Sequence, residues 1–273
     1  MQTLYPKASF VSKINPTIMK ETTIEDFNFK LICEYFSQIP RQGPGDKQTT
    51  LKALSFINEL CEHPNVIDIA CGTGTQTITL AQSIKGGNIE GVDLFPQFIG
   101  TLNKRIEQMG LQDRCKASVG DMTNLQFPEE SFDLIWSEGG IYNIGFRRGM
   151  REWRKLLKKG GYIAVSEATW FTKQRPLEVE KFWDVYPEID TVGNKTSQME
   201  EEGYEIIATF RISDKCWTES FYKPQKDARK AIMQKYPQNV CVQNLVNCME
   251  REEQIFNRYH NFYGYFFYIG RKI

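Results

Sequence analysis

The stretch Val66-Ile67-Asp68-Ile69-Ala70-Cys71-Gly72-Thr73-Gly74 joins an apolar strand, closed by an acidic residue, to a glycine turn and then to a helix begun near Thr75. Gly72 and Gly74 let the backbone bend sharply and approach a ligand with no Cβ in the way, while the first amides of the helix point unpaired at the same place. The stretch reads as a cofactor cradle, and its charge narrows the cofactor. A nicotinamide dinucleotide needs its pyrophosphate against this turn, where Asp68 adds a negative group; an ammonium or a sulfonium is attracted instead. The dinucleotide fingerprint also wants a third small residue where the helix packs on the strand, and Thr77 stands at that position.

Outward from the turn, further strand ends offer polar groups. A second strand over 89–93 ends in Asp93, whose carboxylate can accept both hydroxyls of a ribose diol; this identifies an adenosine and not its attachment. Leu94 and Phe95 follow as walls for the base. A third strand, 115–119, ends at Gly120-Asp121-Met122, where Asp121 can accept from an adenine amino group. The fourth, 132–136, ends in Ser137-Glu138-Gly139-Gly140, and the fifth, 162–166, follows Lys159-Gly160-Gly161. In an open parallel sheet such carboxyl ends line one crevice.

Together these residues resemble the class I S-adenosylmethionine-dependent methyltransferases, especially the small-molecule group that includes quinone-biosynthesis-like enzymes. Asp68-x-Ala70-Cys71-Gly72-Thr73-Gly74 is similar to the first motif of the family, Gly91-Val92-Asp93 to its ribose acid, Gly120-Asp121-Met122 to its adenine contact, and Lys155 through Gly161 to the helix and turn before strand five. The resemblance covers roughly residues 45–210. It implies a Rossmann-like, doubly wound α/β fold: a seven-stranded, mostly parallel sheet with an antiparallel last strand, plus a helical cap. It also implies S-adenosyl-L-methionine as cofactor, with Asp68 near the methionine amino group, Gly72 and Gly74 against its backbone, Asp93 on the ribose, and Asp121 with Met122 at the adenine. Ala70, Leu94 and Ser137 complete the expected cofactor contacts. Family members that methylate base amines usually carry an Asn/Asp-Pro-Pro-Tyr/Phe run after strand four, which this chain replaces by Ser137-Glu138-Gly139-Gly140, so a nucleobase acceptor is disfavoured.

Composition bounds the partners. Lys plus Arg equals Asp plus Glu at 34 each, so no net field draws a polyanion. Arg147, Arg151, Arg154 and Lys158, with Arg148, Lys155 and Lys159, make a basic helical surface that suits a solvated face better than RNA. Seven cysteines without a Cys-x-x-Cys pair, and two distant histidines, His63 and His260, give no metal-ligand spacing and suit a reducing cytoplasm. Cys71 reads as a small buried filler of the turn. No apolar run approaches the roughly 20 residues needed to span a bilayer. A homo-oligomer is compatible with the composition.

The expected organisation is a dispensable extension over 1–18, N-terminal cap helices within 19–60, a core over 61–210, a helical insertion over 211–261 and a last strand over 262–273. Cap helices are expected at 24–36 and 49–60, joined by a linker in which Arg41 can meet a carboxylate over the methionine end of the cofactor. Further helices are expected at 177–183, 224–236 and 239–259, and strands at 205–210 and 262–269. The insertion far exceeds the two to six residues, roughly, that join such strands. Trp170, just beyond strand five, is the aromatic assigned to the acceptor. If that acceptor is a hydroxyl or an acidic carbon, Glu138 is the candidate base with Tyr142 orienting it; a structural hydrogen bond is the equal alternative for Glu138. The reading is methyl transfer to a small-molecule acceptor, with an RNA or protein methyltransferase, or a non-catalytic S-adenosylmethionine-binding protein, as alternatives.

Overall fold

Strands covered by helices on both faces lose the polar alternation of a half-solvated sheet, and the Val66-Ile67-Asp68-Ile69 run is buried throughout. In the computed structural model, which describes residues 29–273, this run forms β1 (Asn65–Ile69) at the centre of the sheet. It pairs in parallel with β2 (Asn88–Asp93) and β4 (Phe132–Glu138), so that Asp68 lies between Gly91 and Trp136. Outside β2 lies β3 (Cys115–Val119), and beyond β4 come β5 (Leu157–Trp170), β8 (Tyr263–Lys272) and β7 (Tyr204–Arg211). The path is β3-β2-β1-β4-β5-β8-β7, with β8 antiparallel to both neighbours. Strand order reverses between β1 and β4, which opens the crevice at their carboxyl ends.

The expected seven strands form this path, and a two-residue β6 (Asp190–Thr191) adds an eighth by pairing with the end of β5. β5 is also longer than 162–166. Gly160, at φ 75°, and a register irregularity opposite Phe132 and Leu134 let the chain enter the sheet already at Leu157. Pairing with β8 then carries the strand to Trp170, which is therefore its last residue and not a residue beyond it.

The cap begins, among the described residues, with α1 (Phe29–Phe36); the rest of the helix expected from 24, and the extension over 1–18, lie outside them. α2 (Lys47–Leu54) starts where the Asp46 carboxylate accepts from the Thr49 amide at 2.7 Å, a side-chain N-cap, and ends six residues before the expected stop. α3 (Thr75–Ser83) follows the glycine turn as expected, and α6 (Leu177–Trp183) also matches. Two longer helices had no counterpart in the sequence reading: α4 (Pro96–Gln108), opened by a proline at its first position, and α7 (Val192–Glu201), capped by Thr191. The others are α5 (Phe146–Arg154), α8 (Lys223–Lys235) and α9 (Val240–Tyr259). The last two are the expected insertion helices, shifted by one residue at most.

Alternate residues of the central strands serve different layers. Trp136, Ala164, Ala168 and Phe267 face the cap, while Ile135, Ile163, Val165 and Tyr268 face the side covered by α5 and α7. The basic side chains of α5 are largely spoken for. Arg147 pairs with Glu201 and Glu202, Lys155 with Glu152, and Arg154 donates to the carbonyls of Gly203 and Ile273.

Candidate active site

The turn after β1 is held from three sides. Gly72 sits at φ 57° and Gly74 at φ 84°, where L side chains are strained, and a Cβ on Gly72 would lie 2.3 Å from Gln42 Oε1. Gln42 itself accepts from the Thr73 amide at 2.7 Å, while its Nε2 donates to the carbonyls of Phe36 and Ile39. The Pro40 carbonyl accepts from the hydroxyls of Thr73 and Thr75. The linker before α2 therefore lies directly on the glycine turn.

Beneath it, Asp68 is fully buried. Thr77 Oγ1 donates to its Oδ2 at 2.5 Å, and Oδ1 is buried with no partner. Burial pushes the Asp68 carboxyl up to about 8, against the Thr77 hydrogen bond. The residue that departs from the dinucleotide fingerprint thus orients the acid. Cys71 is buried in the same turn and burial, with Asp93 beside it, pushes its thiol well up, which fits the filler assignment.

Arg41 meets a carboxylate, but that of Glu138. Glu138 also accepts from the Thr50 hydroxyl at 2.7 Å and the Trp136 indole at 2.9 Å. Three donors on one carboxylate form an anchor that ties α2 and the linker to the tip of β4. Arg41 Nε and Nη1 are buried without partners. Arg41, Gln42, Ala70, Gly72, Gln76 and Glu138 line a narrow cavity of about 20 Å³.

A second cavity, of about 160 Å³, is lined by Ala70, Asp93, Leu94, Asp121, Met122 and Asn143. Ala70 lines both, so the two compartments meet there. Ala70 stands at φ 59°, a left-handed conformation uncommon for alanine. Asp93 accepts from the Gly72 amide at 2.8 Å and the Phe95 amide at 3.0 Å, bracing the turn while facing this cavity. A carboxylate has about four acceptor sites, so ribose hydroxyls can still be taken up. Asp121 turns one oxygen to Thr123, and the Trp153 indole fixes the Met122 carbonyl at 3.0 Å.

Ser137 is buried behind the turn with its hydroxyl unpartnered and lines neither cavity. Tyr142 is buried against Tyr186, ring centroids 5.9 Å apart, and burial raises its hydroxyl pKa. Trp170 packs edge-on against Trp183 and Tyr263 under the Arg175 guanidinium, at 4.4 Å. Sequence reasoning missed Gln42, Thr50 and Asn143. Asn143 is held by the Gly140 carbonyl and presents a buried, unpartnered Oδ1. Gln42 and Asn143 belong to no periodic pattern or spaced motif, and Thr50 sits in the expected helix with no signal for its hydroxyl; their roles follow from what folds over them.

The arrangement fits S-adenosylmethionine. A methionine carboxylate matches the free nitrogens of Arg41, and an adenosine matches the larger cavity with its carboxylate wall; Asp68 lies buried two residues before Ala70, lines neither cavity, and keeps an unpartnered Oδ1 for an ammonium. Residues 66–161 match the family model described as a methyltransferase domain. A sterol 24-C-methyltransferase of Pneumocystis carinii is 29% identical over 163 residues, covering 56% of this chain and 43% of that protein. A demethylmenaquinone methyltransferase of Lactobacillus johnsonii is 29% identical over 105 residues, covering 38% and 43%. The matched part is thus about two fifths of the length of these relatives. A S-adenosylmethionine-dependent methyltransferase from Geobacter sulfurreducens, solved with S-adenosyl-L-homocysteine, has the same fold, with a TM-score of 0.75 and 15% identity over 89% of this chain and 98% of that one.

Residues 66–161 thus match a methyltransferase domain, and the fold is the one seen in an S-adenosylmethionine-dependent methyltransferase. The two sequence relatives are named for a sterol and for demethylmenaquinone. Among the described residues no helix is long and apolar enough to cross a membrane.

Proposed function

We propose that the protein transfers a methyl group from S-adenosylmethionine to a small-molecule acceptor enclosed between the sheet and the helical cap. Two compartments meeting at Ala70, one bordered by Asp93 and the other by the buried, unpartnered nitrogens of Arg41, are the observation that carries this reading. Bound there, the cofactor supplies a methyl carbon already activated by a positive sulfur, so orientation and exclusion of water suffice for in-line displacement. Asp93 holds the ribose, Asp121, Met122 and Asn143 border the base, and Arg41 with Asp68 fixes the two charges of the methionine end. Glu138 positions Arg41 and closes the linker over the turn. A base role for Glu138 requires it to exchange one of its three donors for the acceptor. Seven free cysteines and the neutral charge balance support a site of action in the cytoplasm.

Calorimetric titration with S-adenosylhomocysteine tests the reading without knowledge of the acceptor. The wild type is expected to bind, and Asp93→Ala to bind at least about tenfold more weakly, the loss expected for charge-assisted hydrogen bonds. Thermal melting of the variant separates a lost ligand contact from a loosened turn. A wild type that does not bind overturns the proposal.

A further inference from the structure

The larger cavity has apolar walls, with Ala70, Val92, Leu94 and Met122 in its lining. Against such walls a few polar groups fix which guest is taken and in which orientation. Asp93, Asp121 and Asn143 supply them, beside a Thr123 hydroxyl already turned to Asp121.

Asn143 closes the short 3₁₀ turn Ile141–Asn143 that follows β4. Gly140, just before it, leaves no room for a Cβ, which would lie 2.5 Å from Ala70 Cβ and 2.8 Å from Ser137 Oγ. The turn is therefore pressed onto the end of β1, and Asn143 reaches the cavity that Ala70 lines. The backbone amide of Asn143 and its side-chain Nδ2 both donate to the Gly140 carbonyl, at 3.1 and 3.0 Å. This fixes the amide, because a flipped side chain would set Oδ1 against that carbonyl oxygen. Oδ1 is the end left over, buried with no partner. A buried acceptor without a donor is a standing cost to the fold, which a bound donor removes.

The donors carried by the cofactor decide the match. S-adenosylmethionine offers an ammonium, two ribose hydroxyls and the exocyclic amino group of adenine; its ring nitrogens only accept. With the ammonium assigned to Asp68 and the ribose to Asp93, the amino group remains for Asn143. That group has two hydrogens. Asp121 Oδ1 accepts from the Thr123 amide and hydroxyl, both at 2.8 Å, and no donor among the described residues takes Oδ2. Resting on the methyltransferase reading, we infer that Asn143 determines specificity for the base of the cofactor, its Oδ1 accepting one amino hydrogen while Asp121 Oδ2 accepts the other. The two residues reach the cavity from opposite sides of β1, Asp121 after β3 and Asn143 after β4. A keto oxygen in place of the amino group faces two acceptors and no donor, so a hypoxanthine base is rejected.

The test is a set of calorimetric titrations with S-adenosylhomocysteine, its analogue lacking the exocyclic amino group, and S-inosylhomocysteine. Wild-type protein is expected to bind S-adenosylhomocysteine about tenfold or more tighter than the deamino analogue, and the inosyl compound more weakly still. Asn143→Ala is expected to cut the preference for the amino group to about threefold or less by weakening S-adenosylhomocysteine alone, with the deamino analogue bound within about twofold of wild type. A merely structural role for Asn143 weakens both ligands in the same ratio. Should Asn143→Ala fail to fold, the nearly isosteric Asn143→Leu gives the same readout, and the wild-type ranking of the three ligands needs no variant. Wild-type protein that binds the inosyl compound as tightly as S-adenosylhomocysteine, or a preference for the amino group unchanged in the Asn143 variants, overturns the inference and leaves the methyltransferase reading standing. Absence of S-adenosylhomocysteine binding by wild type overturns the reading itself, and this inference with it.

Discussion

Asp68 carries the most consequential ionisation in the molecule. Its carboxyl titrates near 8 in the folded, ligand-free chain, mainly because burial penalises the charged form, against about 3.9 when unfolded. The neutral acid is therefore compatible with the fold, and its contribution is fully present below about pH 4 and is lost as pH rises through about 8. The thermal midpoint of ligand-free protein is expected to fall between about pH 5 and pH 9, and Asp68→Asn to flatten that slope. A bound ammonium favours the carboxylate, so S-adenosylhomocysteine binding near pH 7 is expected to release a proton. The calorimetric enthalpy then varies with the ionisation heat of the buffer in the wild type and not in Asp68→Asn. Two residues on, Ala70 occupies a backbone region that glycine adopts without strain. Ala70→Gly is expected to stabilise by about 1 kcal/mol, read as a rise of roughly 2 °C in Tm for a chain of this size. Asp68 was legible because an acid at a strand end before a glycine turn is a local pattern. The left-handed Ala70 was not, because alanine carries no turn signature of its own.

At the level of elements, the linker before α2 and the helix α7 show how side chains lock one piece to another. Glu138 was legible as the polar tip of β4, but its commitment to Arg41, Thr50 and Trp136 depends on α2 returning over the sheet from far away in sequence. α7 is tied to β5 by Lys195, which is wholly buried, lies 3.3 Å from Glu167, donates to the Glu188 carbonyl at 3.0 Å and sits 4.3 Å over the Phe146 ring. Burial pushes the Glu167 carboxyl up and Lys195 pulls it back, so the pair is a cost met by mutual attraction. Lys195→Met leaves the carboxylate alone and is expected to destabilise by about 3–5 kcal/mol in denaturant unfolding. The double variant Lys195→Met with Glu167→Leu is expected to recover most of that loss, because the desolvation cost leaves with the charge. No sequence signal announced this pair: lysine and glutamate in a helix and a strand read as solvated residues until the layers close over them.

Across the whole molecule, a continuous parallel sheet with its order reversed between β1 and β4 brings Asp68, Asp93, Asp121 and Glu138 to the crevice end. Global neutrality and the paired arginines of α5 favour that crevice, where Arg41 and Asp68 keep unpartnered polar atoms, over an outer basic face. By itself the sequence determined the strand and turn order, the glycine cradle, the acids at the strand ends and the presence of an insertion. Each is written in contiguous residues, where apolar runs, glycines and acids constrain one another within a few positions. Only the tertiary structure decided that Gln42 seals the turn, that Arg41 pairs with Glu138, and that β5 runs on to Trp170. Those contacts join residues tens to hundreds of positions apart, and their energies come from burial, which no local stretch of chain possesses until the cap and sheet enclose it.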